Sequence, residues 1–148
     1  LDDFSYEVAE RLFAQFPEWR ALARIDGVQN GIGYLRLAVD APVEASAAFG
    51  LSVITQDREV TVGFDHYHGH FFFHVCDGER FGTDYAIHFV SQLVAERVAV
   101  ISWWRAAHLV AFSTIEHGKP VMPNDLVGSH DHVRIRSWKG ALNAERNA

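Results

Sequence analysis

An amphipathic helix in the middle of the chain most constrains what this sequence can fold into. Over residues 83–96 the apolar side chains recur at intervals of three and four, and Thr83 and Asp84 are residue types that favour a helix N-terminus. A helix with one apolar face must bury that face against another layer of structure. The sequence therefore predicts a domain in which this helix packs on a sheet.

Segments with the period-two pattern of half-buried strands lie on both sides of this helix. Residues 34–39 alternate apolar and polar side chains, and residues 51–55 and 59–64 flank a short polar turn, which predicts an antiparallel hairpin. After the helix, three more strands are predicted, over residues 98–104, 109–115 and 133–138.

A second helix is predicted near the start of the chain. Residues 5–16 place apolar side chains at four-residue intervals, and Ser5 or Asp3 would cap the helix. Pro17 ends this helix or opens a further turn, because proline is tolerated in a first helical turn but not in an interior. Residues 26–33, rich in glycine, are predicted to be turn.

The order of these elements predicts the fold class. Helix, about four strands, helix and about three strands match an α+β domain better than an alternating arrangement with a parallel sheet. We predict a single α+β domain over residues 1–148, with a mostly antiparallel sheet of about six strands and two main helices packed on one face. A chain of 148 residues with 49% hydrophobic content is large enough to bury such a core.

Cysteine content and hydropathy bear on the compartment. Cys76 is the only cysteine, so no internal disulfide forms and a reducing, cytoplasmic environment is expected. The longest apolar stretch, residues 98–104, is far shorter than the roughly 20 residues of a spanning helix. Because the first residues are acidic and do not form a basic, then apolar, leader, we expect neither a signal peptide nor a transit peptide.

The charge balance restricts the class of partner. A net charge of −6, with the histidines neutral, repels the phosphates of nucleic acids and makes a nucleic-acid-binding role unfavourable. This negative charge favours either a basic protein partner or no partner at all. The sequence leaves open whether the chain forms a homodimer.

Four of the nine histidines lie within residues 65–74, beside a run of aromatic residues. If the strand that starts at Glu59 continues without a bulge, His66, His68 and His70 share one face, because side chains alternate at a period of two. Imidazole is a common transition-metal ligand, so one interpretation is a site for zinc or another transition metal. In the other interpretation, these histidines lie where a sheet edge meets solvent and pack on neighbouring aromatic rings.

The two adjacent tryptophans add to this surface. Neighbours on a strand face opposite ways, so one of Trp103 and Trp104 is expected in the core and the other partly exposed. Together with the histidine run, an exposed tryptophan would form an aromatic patch of the kind found at the anchors of protein interfaces. The predicted partner-binding residues are Asp65, His66, Tyr67, His68, Trp103 and Trp104. Alternatively, a second layer covers both indole rings.

No catalytic residue is predicted. The sequence contains neither a nucleophile elbow nor a phosphate-binding glycine loop. Cys76 lies two residues after His74, which would point both side chains the same way on a strand. A cysteine is, however, more often a small core residue than a nucleophile. The chain is therefore expected to be a non-enzymatic binding protein. The alternative is a small metal-binding protein or metallohydrolase that uses His66, His68 and His70, in which the metal would lower the pKa of a bound water.

Two stretches carry a resemblance to a known class of protein. Residues 59–71 (Glu-Val-Thr-Val-Gly-Phe-Asp-His-Tyr-His-Gly-His-Phe) and residues 134–140 (Arg-Ile-Arg-Ser-Trp-Lys-Gly) resemble small bacterial immunity-type proteins encoded beside polymorphic or contact-dependent toxins. The resemblance implies a cytoplasmic, non-enzymatic inhibitor that caps a toxin domain by surface complementarity. The acidic charge would then assist capture of a basic toxin.

Overall fold

The computed structural model describes residues 1–72, 75–76, 79–122 and 129–147, with only the backbone described for residues 75–76 and 79–81. The chain forms an α+β fold of antiparallel strands, and its residues divide into two compact units. The first unit comprises Leu1–Asp40, Gly50–Gly63 and His68–Val90, and the second comprises Ala41–Phe49, Phe64–Tyr67 and Ser91–Ala148. The single domain remains a prediction.

The first helix, α1 (Asp3–Gln15), begins earlier than predicted. The carboxylate of Asp2 accepts a hydrogen bond from the Ser5 amide at 2.7 Å and so caps the helix. Both predicted caps therefore lie inside the helix, and the Ser5 side chain is buried. As the sequence indicates, the helix ends before the proline, which opens a short 3₁₀ segment, Pro17–Leu22.

Five strands in sequential order make up the first sheet. They are β1 (Ala23–Gln29), β2 (Ile32–Val39), β3 (Leu51–Gln56), β4 (Glu59–Phe64) and β5 (Tyr67–Phe72). The predicted hairpin of β3 and β4 is confirmed. The prediction that residues 26–33 are all turn is wrong, because β1 runs to Gln29 and only Asn30 and Gly31 form the turn. Both turn residues have positive φ, as a tight two-residue hairpin requires.

Helix α2 (Phe81–Val94) confirms the central helix, shifted by two residues toward the N-terminus. Both helices pack on the same face of the first sheet. The side chains that meet there are Val8 and Leu12 from α1, Val53, Val60 and Val62 from β3 and β4, and Ala86, Ile87 and Val90 from α2. All eight are buried, so this apolar layer is the core of the first unit.

After a two-stranded ladder of β6 (Val75–Cys76) and β7 (Glu79–Arg80), the chain builds a second sheet. Its strands are β8 (Val98–Arg105), β9 (His108–Glu116), β10 (Lys119–Pro120), β11 (His132–Arg136) and β12 (Ala144–Asn147). The spatial order is β10-β9-β8-β11-β12, so β8 is central. Residues 98–103 of β8 are all buried, as expected for a strand that is covered on both faces.

The prediction of one sheet with about six strands is therefore corrected, because the described residues form two five-stranded sheets and one two-stranded ladder. Alternation of apolar residues reports which face of a strand is buried, but not which strands pair. The sequence also predicts a loop over residues 120–128, and residues 123–128 of it lie outside the described part of the chain. None of the helices in the described part of the chain has the length and apolar character that crossing a membrane requires.

The turn after α2 is fixed by one carboxylate. Glu96 accepts hydrogen bonds from the Ser137 hydroxyl at 2.9 Å, the Lys139 amide at 2.6 Å and the Ala141 amide at 3.2 Å. Burial opposes ionisation of Glu96, but these hydrogen bonds outweigh it and lower the pKa of the carboxyl below its ordinary value. Glu96 thereby links the end of α2 to the segment that follows β11.

This arrangement predicts how stability responds to acid. A carboxyl whose pKa is lower in the folded state stabilises the fold above its unfolded pKa of about 4.3, and this contribution is lost as pH falls through the folded pKa. We expect Glu96→Gln to lower the free energy of unfolding at pH 7 and to make its decline toward pH 3 shallower. Urea unfolding across this pH range measures both. The exposed Glu18→Gln is the control, and equal acid dependence in both variants would contradict the role of Glu96.

Candidate functional site

The histidine run does not form one continuous strand. β4 ends at Phe64, Asp65 and His66 form a tight turn, and β5 begins at Tyr67. Asp65 has a φ of 52°, a left-handed conformation that aspartate tolerates better than most residues. The prediction that His66, His68 and His70 share one strand face is therefore wrong, because His66 belongs to the turn.

His68 and His70 do share the exposed face of β5, with ring centroids 5.2 Å apart. Nδ1 of His70 contacts the carboxylate of Glu59, and the Thr61 hydroxyl donates to the same carboxylate at 3.0 Å. Within the described ranges, no group of three or more His, Cys, Asp or Glu side chains has the geometry to hold a metal ion. The three-histidine site for zinc or another transition metal is therefore not assembled by these residues.

His66 instead joins an aromatic cluster in the second unit. Its ring packs edge-on against Trp104 at 4.8 Å between centroids and against Phe49 at 5.6 Å. The Trp104 indole N–H donates to the Ser102 hydroxyl at 2.8 Å, which fixes the orientation of the ring. We call Phe49, His66 and Trp104 the aromatic edge. Phe49 is 62% exposed, so this large apolar side chain faces solvent while its ring packs against His66.

Asp65 holds the backbone next to the aromatic edge in place. The residue is only 5% exposed, and its carboxylate accepts the Ala48 amide at 2.7 Å. Its own amide donates to the Phe49 carbonyl at 3.1 Å. Two hydrogen bonds therefore tie the Asp65 turn to the segment that carries Phe49, which reduces the conformational freedom of that segment.

Two arginines on β11 hold the same segment. Arg134 Nη2 and Arg136 Nε each donate to the Ser46 carbonyl at 3.1 Å. Arg134 Nη2 also lies 3.8 Å from the Asp65 carboxylate. Arg134 Nε is buried, forms no hydrogen bond with the described residues, and lies 4.0 Å from the Glu145 carboxylate.

The charges in this support are balanced. Arg136 contacts the Glu145 carboxylate directly, and this interaction, which outweighs the opposing desolvation, lowers the pKa of Glu145 below its ordinary value. With Arg134 beside Asp65, two guanidinium groups face two carboxylates. The support beneath the aromatic edge is therefore close to neutral, and its role is to position the backbone.

The remaining predicted site residues fall into different environments. Trp103 is 3% exposed and packs with Ile101 and Ala111, so of the two tryptophans it is the core residue, and Trp104 is half-buried. Tyr67 is half-buried and contacts Phe112; burial, with a smaller effect from Glu116, raises the pKa of its phenol. In the second unit, a partner could thus contact His66, Trp104 and the exposed part of Tyr67, but not Trp103.

Phe49, Arg134 and Arg136 belong to the aromatic edge or to its support, and the predicted set of partner-binding residues does not include them. The two arginines do lie in the stretch of residues 134–140 that carries the resemblance, and the structure brings that stretch against the end of β4. The rings of Phe64 and Trp138 are 5.7 Å apart, and Arg134 reaches Asp65. Phe49 is preceded by alanines and followed by glycine, and no periodicity distinguishes it.

Comparisons with known proteins do not extend this assignment. No family model, no curated protein and no solved structure matches the chain.

The support beneath the aromatic edge can be tested by substitution. We expect Asp65→Ala to lower the free energy of unfolding by about 2–4 kcal/mol, because it leaves the Ala48 amide unsatisfied and removes a counter-charge of Arg134. Asp65→Asn should cost less, because an amide oxygen still accepts the hydrogen bond and asparagine tolerates positive φ. The exposed Asp40→Ala is the control. Equal stability of Asp65→Ala and the control in urea unfolding would contradict this role.

Proposed function

We propose that this chain is a non-enzymatic binding protein that captures a protein partner through the aromatic edge of Phe49, His66 and Trp104. One observation carries the proposal, namely an exposed phenylalanine on a segment that a buried carboxylate and two arginines hold in place. An exposed Phe49 has unfavourable contact with water. Burial of its ring by a partner would recover that free energy.

The rigidity of the edge favours tight binding. Association normally costs free energy when loops and side chains become ordered at an interface. Here the Phe49 segment is hydrogen-bonded to Asp65, Arg134 and Arg136 before any partner arrives. The cost of ordering this segment is therefore already met within the fold, and a central aromatic anchor is the arrangement in which binding energy concentrates.

The charge of the chain supports a basic partner. The arginine and carboxylate charges beneath the edge balance each other, so the net charge of −6 arises elsewhere on the chain. A distributed negative charge acts over distances up to a Debye length and raises the rate of encounter with a cationic protein. In this proposal, electrostatics governs how fast the partner arrives, and the aromatic edge governs how long it stays.

The resemblance to immunity-type proteins names the class of partner. Its two stretches contribute Asp65 and His66 from one side and Arg134 and Arg136 from the other, which are the residues at and beneath the aromatic edge. We infer that the partner is a basic toxin domain and that the bound chain neutralises it in the cytoplasm. Capping by surface complementarity requires a preformed surface but no catalytic group on this chain.

The first test is direct binding and neutralisation. If a toxin-like polypeptide is encoded beside this chain, it is purified as a catalytically inactive variant and titrated in a calorimeter, and its active form is co-expressed to measure growth. We expect Phe49→Ala with Trp104→Ala to weaken binding at least about tenfold and to reduce rescue. Tyr6 on α1, which is 59% exposed, provides the matched control for Phe49. Tyr6→Ala should behave as wild type. If no adjoining gene encodes such a domain, the proposal fails. It also fails if the double variant of Phe49 and Trp104 binds as tightly as the Tyr6→Ala control.

The second test separates electrostatics from the anchor. Raising the salt concentration from about 50 to about 300 mM should lower kon by roughly tenfold and change koff little, because screening acts on encounter. The Phe49→Ala variant should show the converse, with a faster koff at unchanged kon. Surface plasmon resonance measures both rates. A koff that rises with salt as steeply as kon falls would contradict this division of roles.

A further inference from the structure

Strand β1 lies at the edge of the first sheet. In the described part of the chain β2 is its only sheet neighbour, so its outer edge presents unpaired backbone groups. The regular part of the strand is short. Its pairing with β2 is continuous from Ala23 to Asp26, after which a bulge shifts the register before Gln29. A ladder on the outer edge would therefore be centred on the few residues before the bulge.

The solvent-facing side of β1 carries an incomplete charge arrangement. Arg24 lies directly opposite Arg36 on β2, an unfavourable pairing of like charges. Arg36 is compensated by the carboxylate of Asp26 at 3.1 Å. Arg24 is exposed and forms no ion pair with the described residues. In the described part of the chain, the strand thus has one cation, Arg24, without a counter-ion, two residues before the carboxylate of Asp26, whose side chain is 45% exposed.

The opposite face of β1 belongs to the apolar face of the first sheet on which the helices pack. At β1, however, the helices no longer cover this face. Ile25 lies opposite Leu35, which is fully buried, yet Ile25 itself is 56% exposed. The Cγ2 atoms of Ile25 and Val28 both lie against Gly33. If Gly33 carried a Cβ atom, that atom would lie 2.7 Å from Ile25 Cγ2 and 3.1 Å from Val28 Cγ2. The two side chains therefore form one exposed apolar patch beside the free edge.

We propose that a second copy of this chain pairs with the free edge of β1, strand against strand and antiparallel, about a two-fold axis at Ile25. In this register Arg24 of each copy faces Asp26 of the second copy, Ala23 faces Gly27, and the two Ile25 side chains lie side by side. Each uncompensated arginine gains a carboxylate, and the two apolar core faces become continuous across the axis.

The self-complementary spacing favours a second copy over another protein. A cation and an anion placed symmetrically about one residue match each other only when the partner strand carries the same sequence in the opposite direction. The Gly27 amide and the Arg36 guanidinium lower the pKa of Asp26, so this carboxylate is ionised at neutral pH. Because the bulge limits the ladder, the dimer should be reversible rather than obligate.

Charge reversal tests the register. Sedimentation velocity over about 5–500 µM should show a dimer fraction that rises with concentration. Arg24→Asp alone and Asp26→Arg alone should each weaken the dimer at least about tenfold, because like charges then face each other twice. The double variant, with both changes, restores opposite charges and should restore the dimer. A chain that stays monomeric throughout contradicts the proposal and leaves the edge to a strand of another protein.

A disulfide test is independent of these charges. In a Cys76→Ser background, Ile25→Cys places two thiols next to each other at the two-fold axis, and mild oxidation should give a covalent dimer. Ile32→Cys, at a similarly exposed position on β2, is the control and should crosslink far less. Equal crosslinking of both variants, or a dimer that the single charge reversals leave unchanged, would overturn the proposed register.

Discussion

The hydrogen bond from the Ala48 amide to the buried carboxylate of Asp65 is the interaction on which the proposed binding surface depends. A buried carboxylate is tolerated only when it is hydrogen-bonded and paired with a cation. Here the amide supplies the hydrogen bond and Arg134 supplies the charge. The consequence is that the segment before β3 is held by a side chain from the turn between β4 and β5, and Phe49 is held outward.

Separate features of the molecule thus serve separate physical roles. The aromatic edge offers apolar area in a fixed position, the balanced ion pairs beneath it set the backbone geometry, and the net negative charge acts at longer range. The free edge of β1 belongs to the first unit and uses a different principle, the self-complementarity of a strand with its own copy. Binding of a toxin domain and self-association would therefore be carried by different residues, and each can be removed without altering the other.

The sequence predicted local structure well where the pattern itself determines it. Alternation over residues 51–64 specified the β3–β4 hairpin, and the three-and-four spacing of α2 specified its buried face. Neighbouring tryptophans on β8 had to face opposite ways, and Trp103 is indeed core while Trp104 is half-buried. The turn at Asp65 was missed because the apolar and histidine alternation runs on through it and no glycine or proline marks it.

Contacts between distant segments could not be predicted in the same way. The Ser46 carbonyl meets Arg134 across 88 positions of the chain, and nothing in either segment specifies the other. β12 (Ala144–Asn147) was missed because its residues are mostly polar and exposed, so it lacks an apolar alternation. The division of the strands into two sheets is likewise a matter of pairing, which depends on tertiary packing rather than on local periodicity.

Amide hydrogen exchange at Ala48, followed by NMR, tests the central claim most directly. If the Asp65 carboxylate holds this segment in the free protein, the Ala48 amide should be protected by at least about tenfold relative to an unstructured chain. It should lose that protection in Asp65→Ala, while the Val62 amide in the core strand β4 keeps its own. An Ala48 amide that exchanges freely in the wild-type protein would show that the Phe49 segment is not preformed, and would contradict the account.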